Sequence, residues 1–221
     1  MSLQTFLQRH SDVSDPLFSR YIEKRGLKIE DAVKYRLGFL KYSGLDWKAY
    51  KVPKLFNHSV VLPLFDDLQQ PIGFELRSIE GKHHFKWYDP DGRYYFFGMN
   101  QDTLSEIYKT ETVFLLEGSF DTISFGTWKP NVLGLLTNML GTRHLTFLKR
   151  YVSTIYMCFD LDKEGLNGQN VLIPRLQREG FKVKPFPCLH KKDSVKDVNA
   201  FIQAYGRERL LKVFSDRFKF L

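Results

Sequence analysis

Three near-continuous apolar runs constrain the fold more than anything else in this chain: "TVFLLEG" from Thr112, "VLGLLT" from Val132 and "TIYMCFD" from Thr154. Strands without polar alternation are buried on both faces, the situation of strands in a parallel sheet covered by helices. Helical segments stand between these runs, "SFDTISFGTW" and "TRHLTFLKRY", and "NGQNVLIPRLQREG" follows the third. "FKVKPFP" offers a fourth strand, and "VKDVNAFIQAYGRERLLKVF" supplies closing helical structure. Strands alternating with helices predict an α/β unit.

The chain upstream of Thr110 has a different texture. "DPLFSRYIEKRGL" reads as a helix with Asp15 as N-cap, Pro16 at the first helical position and Gly26 at its end. "KIEDAVKYRLGF" reads as a second helix, with Ile29, Val33 and Leu37 spaced along one face. Four short aromatic and β-branched runs follow, "SVVLPLFDD", "PIGFELRSI", "HHFKWYD" and "YYFFG", separated by turn residues. They predict an antiparallel sheet. The expected organisation is a smaller α+β subdomain over residues 1–110 and an α/β subdomain over 111–221, ending in short helical structure.

The 221 residues suffice for a proper core, and 43% hydrophobic with 15% aromatic content marks a globular chain. No apolar run reaches the roughly 18 residues of a membrane helix, and "MSLQTFLQRHSDVSD" lacks a signal-peptide pattern. A soluble, cytoplasmic protein is expected, in the host cytoplasm if the chain is phage-encoded. Cys158 and Cys188 form no disulfide framework and no CxxC pair, so no zinc site is expected, and Cys158 reads as a small core residue. The net charge is +8, from 33 basic and 25 acidic residues. From Pro174 to Leu221 there are 12 Lys or Arg against 5 Asp or Glu. Such a surplus suits a polyanion, since neutralised phosphates release counterions; it also suits a merely soluble basic protein.

Function concentrates where the apolar runs end. In an open parallel sheet, functional groups gather beyond the carboxyl ends of the strands. Glu117 follows the first run, Asp160 and Asp162 follow the third, and Asp121 lies on the turn into the next helix. If strand conformation continues through "DLD", both aspartates point to one side. Acids crowded at one sheet edge repel one another and raise their pKa values unless a cation is present. Oxygen-only ligands favour Mg²⁺ or Mn²⁺. Each acid taken singly also reads as a helix N-cap or a solvated strand end; the combination carries the specificity.

That combination resembles the Toprim family, shared by DnaG-type primases, topoisomerases and several nucleases. "LLEGSFDTIS" is similar to the primase "vEGyfD" segment, "CFDLDKEGLNG" to "fDgDxAGxxA", and "NMLGTRHLTFLKRY" to "GTalTxxqxxxL". "KKDSVKDVNAFI" occupies the place of a later acidic motif. Its KDVN form is closer to the "KDaN" of phage-type helicase-primases than to the bacterial "DPDE". The match makes Asp197 a further metal-site residue, while Asn199 stands where bacterial primases carry a second acid. Upstream, "YIEKRGLKIEDAVKYRLGF", "VVLPLFDDLQQPIGFELRSI" and "HHFKWYDPDGRYYFFGMNQ" resemble successive segments of the primase core. The resemblance places Arg77 and Lys86 on basic positions associated with nucleotide or nucleic-acid binding.

The implied fold is a Toprim domain, a parallel sheet flanked by helices, preceded by the smaller α+β subdomain. The implied activity is metal-dependent synthesis of short RNA primers on single-stranded DNA from NTPs. Glu117, Asp160 and Asp162 would be catalytic, and with Asp121 and Asp197 they would hold Mg²⁺ or Mn²⁺. Lys24 and Arg25 would join Arg77 and Lys86 against nucleic acid, although each also reads as an ordinary solvated position. Phe85 and Trp87 read as core aromatics or, less simply, as a platform for stacked bases. The chain departs from the family in having no cysteine cluster, no GxxxxGK[ST] helicase loop and little sequence after KDVN for a third helical subdomain. A replicative helicase or a separate zinc-ribbon protein is therefore the expected partner class, and no membrane is. A Toprim nuclease and a non-catalytic nucleic-acid-binding module are the alternatives.

Overall fold

Two sheets organise the computed structural model of this chain, one in each of two units, Met1–Tyr95 and Phe96–Leu221. The structure describes residues 1–42, 50–89, 95–137, 139–186 and 195–217. Among them no helix is long and apolar enough to cross a membrane.

The first unit contains helices α1 (Leu3–Arg9), α2 (Pro16–Lys24) and α3 (Ile29–Lys34), then strands β1 (Gly38–Leu40), β2 (Ser59–Phe65), β3 (Pro71–Ser78) and β4 (His84–Tyr88). The strands form an antiparallel sheet in the order β1-β2-β3-β4. As the sequence indicates, Asp15 caps α2 by accepting the Leu17 N–H at 2.9 Å, and Gly26 follows at φ 71°. The second helix is shorter than its apolar spacing suggests. It stops at Lys34, Arg36 takes φ 54°, and Val33 is left 59% exposed while Ala32 and Tyr35 turn inward. Leu37 is buried just ahead of β1, whose Gly38 lies so close to the His10 carbonyl that a side chain there would collide with it.

Strand register sorts the sheet's two faces. Val61, Leu76 and Phe85 align across β2, β3 and β4, as do Phe74 and Trp87, and all pack into or against one aromatic core. Phe6 from α1 stacks on Phe74 at 4.3 Å, and Trp87 stacks on the same ring at 5.8 Å. Phe85 and Trp87 are therefore half-buried aromatics packed against that core. Strand alternation puts Glu75 and Arg77 on the opposite face, where Glu75 pairs across to Lys86.

The second unit begins earlier than the texture of the sequence suggests. Phe96 and Phe97 of the "YYFFG" run are buried there, and Phe97 forms a bridge to Gly134 instead of extending the antiparallel sheet. Helix α4 (Gln101–Thr110), capped by Asn100, then leads through Glu111 at φ 50° into the parallel sheet. That sheet comprises β5 (Thr112–Leu116), β6 (Val132–Gly134), β7 (Thr154–Met157) and β8 (Lys182–Pro185), in the order β6-β5-β7-β8. Its connections are α5 (Ser119–Gly126), α6 (Thr142–Tyr151) and α7 (Lys163–Arg178). The closing helical stretch divides at Gly206, φ 84°, into α8 (Val198–Tyr205) and α9 (Arg207–Arg217).

The central strands β5 and β7 are paired in parallel, Leu115 beside Met157, and their residues are almost wholly buried, as their apolar sequences demand. Phe114 stacks on Tyr156 at 4.9 Å, and around them gather Phe125, Phe186, Phe201 and Phe214. Burying each such ring is worth about 2–3 kcal/mol. This cluster fixes α5, α8 and α9 against one face of the sheet. Cys158 is buried, its Sγ donating to the Tyr156 carbonyl at 3.7 Å; Cys188 lies outside the described residues.

Candidate active site

Glu117 directly follows β5, and Asp160 lies just past the neighbouring β7, so parallel pairing delivers both acids to one rim. The Asp160 N–H donates to Glu117 Oε1 at 3.0 Å. Gly165 is required beside them, because a Cβ there would meet Glu117 Oε1 at 2.5 Å and collide with the Asp160 carbonyl.

The "DLD" segment does not continue the strand. β7 ends at Met157, and Asp162 becomes the N-cap of α7, accepting the Gly165 N–H at 3.0 Å. Tight geometry after Asp160 gives the two aspartates different partners, yet the Asp162 charge still acts on Glu117. Asp121, in the first turn of α5, reaches α8, where Oδ1 accepts the Asn199 N–H at 2.9 Å. Asp197 caps α8 through the Ala200 N–H at 2.6 Å. Three helix starts thus converge on the rim, and their N-terminal dipoles offset part of its negative charge.

Electrostatics couple the acids across the rim. Burial, then the charges of Asp121, Glu117 and Asp197, push the Asp160 carboxyl up to about 8, against an opposing pull from Lys196. Burial raises Asp121, reinforced by Asp197 and opposed by the Asn199 N–H. Glu117 is raised by burial, with the Asp160 N–H acting against it. Lys196 lies 3.3 Å from Asp197 Oδ2 and 3.9 Å from Asp160 Oδ2. Asp121, Asp160, Asp197 and Lys196 line a cavity of about 10 Å³, room for one water-sized occupant.

The donor set matches a hard divalent cation: carboxylate oxygens, crowded and short of countercharge. The fit is one of donor chemistry and charge. Among the described residues, no three Asp, Glu, His or Cys side chains converge closely enough to hold one ion as they stand.

Comparison with known proteins places this geometry. Residues 114–202 match the family described as Toprim-like. Over its length the chain superposes on the Aquifex aeolicus primase zinc-binding and RNA polymerase domains with a TM-score of 0.74, at 23% identity, covering 99% of this chain and 62% of that one. It superposes on a DnaG primase catalytic domain bound to single-stranded DNA with a TM-score of 0.73, at 16% identity, covering 98% and 76%. The fold is that of a DnaG-type primase core. Among curated sequences, it is 26% identical over 166 residues to the DNA primase of Clostridium acetobutylicum, covering 72% of this chain and 26% of the relative. It is also 26% identical over 185 residues to Uncharacterized protein MG010 of Mycoplasma genitalium, covering 81% and 76%. The chain thus spans about a quarter of the length of the first primase and three quarters of the second relative.

Within this primase-type fold the expected basic residues all belong to the first unit. Arg77 and Lys86 share a sheet face with Glu75, which is fully buried and pairs with Arg77 Nε at 2.7 Å. Burial lowers the Lys86 pKa, and Glu75 partly restores it. Lys24 is exposed in the last turn of α2, while Arg25 is turned back onto the Tyr21 hydroxyl at 2.8 Å. Sequence reasoning missed Glu75, Lys196 and the role of Asn199. The signal for Glu75 was its i, i+2 spacing from Arg77 on a strand; a lone lysine in KDVN carried none.

Proposed function

We propose that this chain synthesises short RNA primers on a single-stranded DNA template by metal-dependent nucleotidyl transfer. The reading is carried by five acids, Glu117, Asp121, Asp160, Asp162 and Asp197, placed around the carboxyl ends of β5 and β7 in a fold that follows a primase core over nearly its whole length. Glu117, Asp160 and Asp162 are the catalytic carboxylates, and Asp121 and Asp197 complete the set that would hold Mg²⁺ or Mn²⁺. Bound there, such ions would neutralise charge on the attacking and leaving oxygens of an in-line displacement.

The residues of the chain contribute positioning. The hydrogen bond from Asp160 to Glu117 fixes the two strand ends together, and Asp162 anchors the start of α7 beneath them. Arg77 and Lys86 bind phosphate; the buried Glu75 carboxylate, 2.7 Å from Arg77 Nε, pairs with the guanidinium by charge and keeps it at this face of the sheet. Lys24, Arg25 and the basic stretch beyond Pro174 follow the template backbone. A replicative helicase or a zinc-ribbon protein is the partner class this reading expects.

Incubation with single-stranded DNA, NTPs and Mg²⁺ or Mn²⁺ tests the proposal. New oligoribonucleotides are expected, and Asp160→Ala combined with Asp162→Ala should abolish them while DNA binding persists. Shortened DNA would identify a nuclease instead, and binding without either product a non-catalytic module.

A further inference from the structure

Lys196 stands at the acid rim without a part in the chemistry above. Its Nζ lies 3.3 Å from Asp197 Oδ2 and 3.9 Å from Asp160 Oδ2, so one ammonium stands between two carboxyl groups of the rim. Its backbone is fixed. The Lys196 carbonyl accepts the Leu161 N–H at 3.0 Å, which stitches it between Asp160 and Asp162. Asp197 commits Oδ1 to the Ala200 N–H and turns Oδ2 toward the lysine. The Lys196 side chain, by contrast, is 64% exposed and on a flexible stem, free to swing into solvent.

We infer that Lys196 is the resident cation of the metal-free site, bridging Asp160 and Asp197 until a divalent ion displaces it. The inference rests on the reading that such ions bind at this rim. Lys196 itself lines the cavity of about 10 Å³ shared by Asp121, Asp160 and Asp197. An ammonium and a divalent cation on the same two oxygens would repel strongly, so occupancy is exclusive. The lysine thereby holds the rim together when no divalent ion is bound and sets the threshold concentration at which metal enters.

The test is Mn²⁺ binding by the chelator-treated full chain, followed by calorimetry and by the electron paramagnetic resonance of free Mn²⁺. Lys196→Met should bind Mn²⁺ more tightly, roughly two- to five-fold, the order expected from removing the partly exposed ion pair with Asp197. Lys196→Arg, which keeps the charge, should stay near the parent value. Without metal the Met variant should melt at a lower temperature than the parent, and saturating Mn²⁺ should close that gap. Lys196→Gln serves equally if circular dichroism shows the Met variant misfolded. Equal or weaker Mn²⁺ binding by the uncharged variants overturns the inference while leaving the metal reading intact. Absence of Mn²⁺ binding in both parent and variants overturns the two together.

Discussion

Asp160 concentrates the physics of the site in one side chain. With its carboxyl raised to about 8, it holds a proton at neutral pH in the metal-free protein. The unfolded chain releases that proton near an ordinary carboxylate pKa, so between those limits the folded state binds more protons. Its stabilising contribution is complete in acid and disappears as pH rises through about 8. Melting of the metal-free protein should therefore lose stability between pH 5 and pH 8.5 by more than the Asp160→Asn variant does, as read by thermal denaturation in the presence of chelator. Metal requires the deprotonated form, so Mn²⁺ affinity should rise over the same interval. Glu117 and Asp160 were legible because each terminates an apolar run, whereas Asp197 was reached only through the resemblance of its KDVN segment. The partition of "DLD" was not, since strand alternation and helix capping make competing claims on Asp162, and the cap prevailed.

At the scale of elements, the buried strands β5 and β7 announced themselves by uninterrupted apolar sequence, and the helices between them followed. Elements that depend on local backbone strain were hidden. α3 looked longer than it is because Val33 keeps the helical spacing, although Arg36 at positive φ breaks the turn after it. β1, three residues long, and α4, marked only by its Asn100 cap and the Leu104 and Ile107 face, offered too little pattern. The contact between α5 and α8 shows why a single residue type matters. Asn199 is buried, donates from Nδ2 to Ser124 Oγ at 2.9 Å and accepts from Gln203 at 2.7 Å. Asn199→Asp would restore the acid of the bacterial pattern but remove that donor and place a charge beside Asp121. It should cost about 2 kcal/mol or more of unfolding free energy in urea titration without metal, and a neutral result would show that the two helices tolerate the charge.

For the molecule as a whole, the surplus of +8 bears on the proposed binding of a polyanion rather than on fold. Affinity for single-stranded DNA should fall linearly in log–log form with salt, at a slope of roughly −0.7 per phosphate contacted. Fluorescence anisotropy across a KCl series reads this directly, and a flat response would mean that the positive surface does not meet the strand. A last consequence follows from the origin of the five acids. Asp121, Asp162 and Asp197 belong to the opening turns of α5, α7 and α8, so the rim is a joint product of three separate helical nuclei. It persists only while all three stay wound, and its lifetime is that of whichever frays first. The eight-residue α5 and α8, half the length of α7, are the short levers on that lifetime.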